Sequence, residues 1–340
     1  MGYLVAFLVA LAVPLAALLG LNQQVGSLTD YGDLTRIGRL STRDFARRPP
    51  PGAPPLKMLK VDSTEPAVVV LGDSFSRWNI WQSEWMAQRG RRDVLTYRYE
   101  EMGGAACLSA WAGQVQQRHP AARQLIVQIV ERSFAHLLQS QEQACTMAPE
   151  AMHPVATSDN LWPDQPAQHR LWPPPDPHHV LRAWAAQHKS FASQTRRDQV
   201  VVTPLARHDL FSSRRPDLLL TYIDDQYKTR WKAETLAPGV ARLVTLRDRL
   251  AAQGISLILV VVPDKSTVYG PHYRDAANRV PAAVDPWLLL QQAGLRQVPL
   301  RERLQQAALS TRDLYMPDDT HLGHDGFRLL AQAIAEEAAR

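Results

Sequence analysis

The amino-acid sequence predicts an α/β fold: a three-layer α/β/α sandwich built on a central parallel sheet. Two observations carry this prediction. Apolar runs rich in β-branched residues are too short for helices, and segments with helical periodicity separate them along the chain. Strands that alternate with helices form a parallel sheet covered on both faces. With 340 residues, 45% of them hydrophobic, the chain can bury one large core, or one core and a smaller satellite.

The first element is an uncharged apolar stretch at residues 3–21, within a segment 1–22. At about 1.5 Å per residue, a helix of this length roughly crosses a hydrocarbon core of about 30 Å. The stretch is a signal anchor or a signal peptide, and the sequence leaves cleavage open. Arg36 and the arginines after it would favour a cytoplasmic body, but they lie too far downstream for the positive-inside rule to have much force. We therefore expect an exported domain that is anchored to the membrane, or secreted after cleavage.

A Pro-rich linker is predicted at residues 23–60, because the segment PPPGAPP at 49–55 favours stiff, extended backbone. The folded, catalytic-type domain then covers residues 61–340. Its predicted strands are residues 67–71, 93–99, 124–130 and 255–262. Its predicted helices are residues 78–89, 105–118, 238–253 (ending before the C-cap candidate Gly254) and 324–339.

Residues 146–236 interrupt this alternation and are predicted to form a long, irregular insertion over the sheet. The part at 160–180 is rich in Pro, His and Trp and cannot form one regular element. Insertions of this length are typically lids, binding surfaces or disordered segments. Carbohydrate stacking and packing onto the core explain its tryptophans about equally well. These tryptophans are Trp162, Trp172, Trp184 and Trp231.

The first strand is followed by Gly72, Asp73 and Ser74. Ligands of parallel sheets bind at this carboxyl edge, and a serine held there can attack a carbonyl while its own amide faces the oxyanion. The competing interpretation is that Asp73 or Ser74 caps the following helix. A motif of three residues does not separate the two.

A base for Ser74 is available near the other end of the chain, in the segment DDTH. His321 can take the serine proton, and a carboxylate from Asp318 or Asp319 can fix its tautomer. Alone, the segment could equally bind a metal or cap a helix. Together with the first motif it favours catalysis. His324, one turn further on, is expected to begin the last helix.

These two motifs resemble the SGNH, or GDSL, hydrolase superfamily. Three further stretches resemble the alginate O-acetyltransferase group of SGNH-like proteins: the Glu-Arg pair in LIVQIVERSF (125–134), P-x-K-x-x-x-Y in VVVPDKSTVY (260–269), and DTH (319–321). The resemblance covers most of residues 67–134 and 240–340. It implies an exported α/β/α domain that moves acetyl groups onto an exopolysaccharide through serine, histidine and aspartate. Such proteins work beside a membrane-bound O-acyltransferase that passes acetyl across the membrane.

The resemblance assigns Ser74 as nucleophile and His321 as base. Asp319 fits the Asp-x-His spacing of the acetyltransferase group and is expected to orient His321, with Asp318, at the D-x-x-H spacing, as the alternative. In the alginate proteins the Asp-His segment precedes the serine, whereas here it follows. The superfamily's asparagine is absent after the third strand. The oxyanion hole is therefore expected to use the amides of Ser74 and Gly104, which is preferred over Gly103.

Other polar and aromatic residues could bind the acceptor. Lys265 and Tyr269 could line its groove, although such a pair is also common as packed surface. Arg132 is a candidate substrate ligand, but a structural salt bridge with a carboxylate is favoured. Tyr222 and Trp231 could contact a glycan, or their segment could simply fold back as a helix.

The predicted function is therefore O-acetylation of a secreted or cell-surface polysaccharide, with a membrane-bound O-acyltransferase as acetyl supplier. We expect no cofactor and no metal. Because the net charge of +5 is scattered along the chain, no nucleic-acid partner is expected either. Cys107 and Cys145 could form a disulfide in the periplasm or remain two thiols. The alternatives are an SGNH esterase, in which water resolves the acyl-enzyme, and a non-catalytic polysaccharide-binding assembly subunit.

Overall fold

The computed structural model describes residues 2–25, 32–48, 63–76, 79–91, 93–98, 104–140, 145, 153–155, 176–187 and 190–340. In chain order, its strands are β1 Val68–Gly72, β2 Val94–Arg98, β3 Gln124–Val130, β4 Thr195–Arg197, β5 Val200–Pro204, β6 Leu218–Tyr222 and β7 Ser256–Val262. Its α-helices are α1 Gly2–Val25, α2 Asp33–Gly38, α3 Thr42–Phe45, α4 Ile80–Arg89, α5 Leu108–Ala112, α6 Val115–Arg118, α7 Phe134–Ser140, α8 Pro177–Gln187, α9 Ala233–Ala251, α10 Lys265–Tyr269, α11 Pro286–Gln292, α12 Leu300–Ala307 and α13 His324–Ala338.

The central sheet is parallel and has the strand order β2-β1-β3-β7. All four of its strands coincide with predicted ones to within a residue or two. Strands β1, β3 and β7 were recognisable as apolar runs rich in β-branched residues, and β2 by the alternating pattern of DVLTYRY. The order puts β1 and β3 side by side at the centre. The residues that follow these two strands therefore meet at one carboxyl edge.

Alternate residues of β1 face opposite layers. Val68 and Val70 belong to a core that includes residues of α4, α12 and α13, while Val69 and Leu71 belong to a second core with residues of α5, α7, α9 and α11. Each fully buried aliphatic side chain of this kind stabilises the fold by about 1.5–3 kcal/mol. The structure thus confirms the predicted α/β class and its three layers.

The predicted helix at 105–118 is broken into shorter pieces. A 3₁₀ turn at Gly104–Cys107 leads into α5, which ends before Gly113, and α6 follows. Glycine weakens a helix by about 1 kcal/mol relative to alanine, which favours a break at this position. Cys107 in the 3₁₀ turn forms a disulfide with Cys145.

A second, antiparallel sheet in the order β4-β5-β6 lies within the predicted insertion. Helices α2 and α3 pack against it, and bury Leu34, Leu40 and Phe45 in a small core of their own. The prediction of a linker is therefore wrong for residues 32–48, which fold onto the body. The Pro-rich residues 49–60 lie outside the described residues, as do residues 156–175 of the insertion, Trp162 and Trp172 among them.

Helix α1 is long and apolar enough to cross a membrane, with a mean hydropathy of 2.7, although a signal sequence would also meet this test. Its last turns are packed against the body. Val25 forms a small apolar cluster with Val180 and Ala183 of α8, and Ser41 donates a hydrogen bond of 3.0 Å to the carbonyl of Val25. The end of α1 is therefore part of the folded structure.

Candidate active site

The turn after β1 is fixed by the buried carboxylate of Asp73. Its Oδ1 accepts hydrogen bonds from the amide of Phe75 at 3.0 Å and from Nε2 of Gln128 at 2.7 Å. Its Oδ2 accepts one from the amide of Val130 at 2.6 Å. Asp73 therefore ties the turn that carries Ser74 to the end of the neighbouring strand β3. Burial raises the pKa of Asp73, while these donors favour its ionised form.

Gly72 allows this turn to lie close to β3. A Cβ at Gly72 would overlap the side chain of Ser76 and lie 3.1 Å from Oε1 of Gln128. Ser76 is hydrogen-bonded to that Oε1 and accepts a bond of 3.1 Å from Nε1 of Trp81. Sequence reasoning missed Gln128. The available clue was a polar residue inside an otherwise apolar strand, paired in register with Gly72.

Ser74 and His321, 247 positions apart in the chain, meet at the carboxyl edge of the sheet. The serine Oγ lies 2.9 Å from Nε2 of His321, and Nδ1 of His321 lies 2.6 Å from Oδ1 of Asp319. The same Oδ1 accepts a bond of 2.9 Å from the amide of His321. An ionised carboxylate can only accept, so the imidazole proton sits on Nδ1 and Nε2 is free to take the serine proton.

Asp319 is held in the ionised form. Burial raises the pKa of its carboxyl, but the charge and hydrogen bonds of His321 outweigh burial and bring the pKa well below the usual range. A buried carboxylate that stays charged can stabilise the imidazolium formed when His321 accepts a proton. The arrangement therefore has the polarity that general-base catalysis requires.

Asp318, the alternative orienting residue, is placed differently. Its backbone carbonyl accepts bonds from the amides of Leu34 and Thr35 at 3.1 and 3.3 Å. Burial, reinforced by the charge of Asp319, raises the pKa of its carboxyl to about 7. In the part of the chain that the structure describes, His321 bonds the carboxylate of Asp319 and not that of Asp318. The geometry thus favours Asp319.

Apolar rings surround the imidazole. The ring of Phe75, the residue after Ser74, lies 4.7 Å from that of His321, and Phe327 of α13 lies 6.5 Å from Phe75. His321 itself is 3% exposed. These rings restrict water on one side of the base and hold its plane. His324 begins α13, as predicted, with Nε2 3.7 Å from Glu84.

A metal ion is the alternative ligand for this loop. Asp33, Asp319 and His321 bring possible ligand atoms within 4.8 Å of one another. However, Nδ1 of His321 is already bonded to Asp319, and its Nε2 is bonded to Ser74. A cation here would have to replace the hydrogen bonds that define the triad, so the described contacts fit a proton-transfer site better.

Lys265 does not line an acceptor groove, which corrects the expectation from the sequence. Its side chain is buried, and Nζ donates to the carbonyls of Met316, Pro317 and Asp319 at 2.8, 3.2 and 2.9 Å. Burial lowers the pKa of Lys265 to about 8, against the opposing effect of Asp318 and Asp319. Lys265 therefore secures the loop that presents His321.

Tyr269 does not line a groove either. It is fully buried, and its hydroxyl accepts a bond of 3.3 Å from the amide of Tyr315. Its ring packs 4.9 Å from Phe211 and 6.0 Å from Tyr315. The Lys-x-x-x-Tyr spacing places both side chains of α10 inward because residues four apart share one helix face. Tyr269 is a core residue.

Arg132 takes the structural role that the sequence favoured. Its guanidinium is 2.8 Å from Asp264 and 3.7 Å from Asp225, and it stacks 5.1 Å from the ring of Tyr222. Burial lowers the pKa of Arg132, but the two carboxylates outweigh burial and raise it. The contacts of Arg132 therefore lie within the protein, and its assignment to substrate binding is not supported by the geometry.

Tyr222 and Trp231 flank a 3₁₀ helix at Ile223–Arg230, so their segment folds back as a helix, which is one of the two alternatives that the sequence left open. Tyr222 ends β6 and is covered by Arg132, and the ring of Trp231 lies 6.0 Å from that of Phe134. Both residues are half-buried. Packing onto the body thus accounts for their described contacts.

The oxyanion hole stays a prediction. Gly104 begins the 3₁₀ turn that comes after β2, and β2 is the neighbour of β1 in the sheet. Gly103 lies outside the described residues. A cleft of about 490 Å³ beside Trp287 and Arg301 is lined by Glu131 and Thr267, but by none of the three triad residues. The cleft is therefore not the chamber in which Ser74 would react.

Replacing Lys265 with methionine is expected to loosen the loop that carries Asp319 and His321. The substitution keeps most of the volume but leaves three carbonyls without their donor, and an unsatisfied buried group costs about 1–3 kcal/mol. We expect a fall in unfolding free energy of about 2–4 kcal/mol in urea titrations, and a lower kcat. A variant as stable and active as the parent protein would contradict this role.

In this three-layer fold, a serine after the first strand of the parallel sheet is hydrogen-bonded to a histidine, and the histidine to an aspartate, before the last helix. This arrangement is typical of the SGNH hydrolase-like class of α/β domains. A comparison with protein families agrees with this class: residues 219–340 match the family described as "SGNH hydrolase-like domain, acetyltransferase AlgX". The matched region contains Asp319 and His321, whereas Ser74 precedes it.

A curated relative gives the more particular resemblance. The chain is 28% identical over 153 residues to "Probable alginate O-acetylase AlgJ" of Pseudomonas fluorescens. The aligned region covers 39% of this chain and 36% of the relative. The chain thus aligns with about a third of that relative's length. No solved structure gives a significant match. The resemblance to SGNH proteins of the alginate acetyltransferase group is confirmed, and it supports an acetyltransferase-type function at the level of the family.

Proposed function

We propose that this protein is an SGNH-type O-acetyltransferase that acetylates a secreted or cell-surface polysaccharide. One observation carries the proposal: the unbroken chain of hydrogen bonds from Asp319 through His321 to the hydroxyl of Ser74. The descriptions of the matched family and of the matched relative name acetyl transfer and alginate O-acetylation, which supports acetyl as the group that moves.

The proposed reaction consists of two acetyl transfers. Ser74 Oγ attacks the carbonyl carbon of an acetyl donor while Nε2 of His321 takes the serine proton, and Asp319 stabilises the imidazolium. The bond between the acetyl carbon and the donor breaks, and the leaving group takes the proton from His321. A sugar hydroxyl then attacks acetyl-Ser74 and gives its proton to Nε2, which returns it to the departing serine. In both steps the amides of Ser74 and Gly104 would stabilise the oxyanion.

The N-terminal helix supports a location at a membrane. We propose that α1 is a retained anchor that holds the domain on the periplasmic face of the inner membrane. Removing α1 would expose Val180 and Ala183 of α8 and would leave Ser41 without its carbonyl acceptor. In this location a membrane-bound O-acyltransferase is the proposed supplier of acetyl groups.

The test uses the purified full chain in detergent micelles. The protein is incubated with 4-nitrophenyl acetate, with and without alginate or neutral oligosaccharides, and products are separated by mass spectrometry. We expect acetylated sugar to accumulate at the expense of free acetate when the correct acceptor is present. Release of acetate alone with every acceptor would favour the esterase. No reaction with any donor, and unchanged polymer acetylation in cells that carry Ser74→Ala, would favour a binding subunit.

A further inference from the structure

The segment that follows the membrane helix lies directly against the triad. Here the amide of Asp33 donates a hydrogen bond of 3.1 Å to Oδ2 of Asp319. The other oxygen, Oδ1, accepts from His321. We propose that the backbone N–H of Asp33 is a positioning group for the reaction: it holds the Asp319 carboxylate in the rotation that orients His321. This inference rests on the proposed function and adds a contribution from residues outside the predicted domain 61–340.

Further contacts make this a built interface. The amides of Leu34 and Thr35 both donate hydrogen bonds to the carbonyl of Asp318, at 3.1 and 3.3 Å. The hydroxyl of Thr35 donates a hydrogen bond of 2.9 Å to the carbonyl of Gly32. The side chain of Leu34 is fully buried in the small core with β5 and β6. The position of the amide is therefore set by packing as well as by its own hydrogen bond.

Gly32 makes the close approach possible. Its φ of +89° lies in the left-handed region that disfavours side chains, and an added Cβ would lie 2.5 Å from the carbonyl oxygen of Asp318. A side chain at residue 32 would push the segment away from the loop that presents Asp319. The sequence therefore has glycine at a position where the two segments lie in close contact.

The chemical consequence concerns the rotation of a carboxylate. With only Oδ1 engaged, Asp319 could turn about its χ2 bond and release Nδ1 of His321, because terminal sp³–sp² torsions are broad. A second donor on Oδ2 opposes that rotation without contacting substrate. Hydrogen bonds to a charged acceptor are strong enough that their loss lowers a rate by about 10- to 100-fold when the geometry serves only the transition state.

The test compares Asp33→Pro with Asp33→Ala in the full-length protein. Both variants lose the carboxylate, but only proline also loses the N–H, and proline is tolerated at the first position of a helix. We expect kcat for acetyl release from 4-nitrophenyl acetate to be 10- to 100-fold lower in the proline variant than in the alanine variant, with KM changed less than threefold. The downfield proton resonance of His321 Nδ1–H should shift or broaden in the proline variant alone.

Gly32→Ala provides a second, independent route. It keeps the Asp33 amide but displaces it, so it should lower kcat in the same direction, and it replaces the proline variant if that protein does not fold. Equal kcat values and equal Nδ1–H resonances in Asp33→Pro, Asp33→Ala and Gly32→Ala would overturn the inference. That result would leave the proposed function intact. An inactive parent protein, or a Ser74→Ala variant as active as the parent, would instead refute the proposed function itself.

Discussion

Ser74→Ala is expected to abolish the proposed acetyl transfer, with kcat/KM reduced by about 10³-fold or more, and to leave the fold unchanged. In the proposed reaction the hydroxyl is the nucleophile, and it contacts Nε2 of His321 at 2.9 Å. Its removal should therefore end covalent catalysis while oxyanion stabilisation and binding survive. Ser74 is partly exposed, so the loss of its hydrogen bond to His321 should change the unfolding free energy by about 1 kcal/mol or less. The measurements are steady-state kinetics on an acetyl ester and urea unfolding.

Ser76→Ala is the matched control, two residues further along the same turn. Ser76 is fully buried and bonds Gln128 and Trp81 rather than His321. Its loss should lower stability by about 1–3 kcal/mol while the folded protein keeps most of its kcat/KM. Opposite results, with Ser76→Ala inactive and Ser74→Ala active, would mean that the serine in contact with the imidazole is not the nucleophile.

Asp319→Asn is expected to have the second largest effect, a fall in kcat of about 10⁴-fold, as expected when the orienting carboxylate of a Ser-His-Asp triad becomes an amide. The amide group of asparagine can donate to Nδ1 of His321, which puts the ring proton on Nε2 and prevents it from accepting the serine proton. Asp318→Asn is the matched control, because its carboxyl is not hydrogen-bonded to the imidazole in the described structure. It should retain kcat within about tenfold. Equal losses in the two variants would refute the assignment of Asp319.

Stability against pH provides an independent readout for the same pair. Burial raises the pKa of the Asp318 carboxyl from 3.8 to about 7, so the native state holds a proton that the unfolded chain has already released. The stability that this proton confers is complete below pH 3.8 and is lost as the pH rises through 7. Between pH 5 and pH 8, Asp318→Asn should therefore gain about 2–3 kcal/mol of unfolding free energy relative to the parent protein. Urea titrations at the two pH values measure this difference, and no relative gain would contradict a buried, proton-holding Asp318.

The parts of the fold that the sequence predicted well are those in which local pattern and tertiary burial agree. The run VVVLG of β1 is apolar throughout, and every residue in it is buried, so its composition alone indicates a central strand. The triad was predictable for a related reason. Ser74 follows strand β1 and His321 precedes helix α13, each within a short motif. The topology brings both residues to the carboxyl edge of the parallel sheet.

Residues 32–48 were not predictable in the same way. Helices α2 and α3 have six and four residues, too few for a periodic apolar pattern to show, and their place in the structure is set by contacts with β5 and with the loop of Asp318. Lys265 illustrates a second limit. A lysine after a strand looks the same in the sequence whether it reaches solvent or, as here, carbonyls of a distant loop, because its acceptors are backbone atoms.

The short connection between α1 and the segment at Gly32 that contacts the triad also limits where the proposed reaction could take place. Only residues 26–31 separate Val25 from Gly32, and even a fully stretched chain of that length reaches about 25 Å. If α1 stays embedded in lipid, the reactive hydroxyl can never be far from the headgroup layer. Polymer chains would then be modified as they leave the bilayer or pass along its surface, and material already released into bulk solution would escape acetylation.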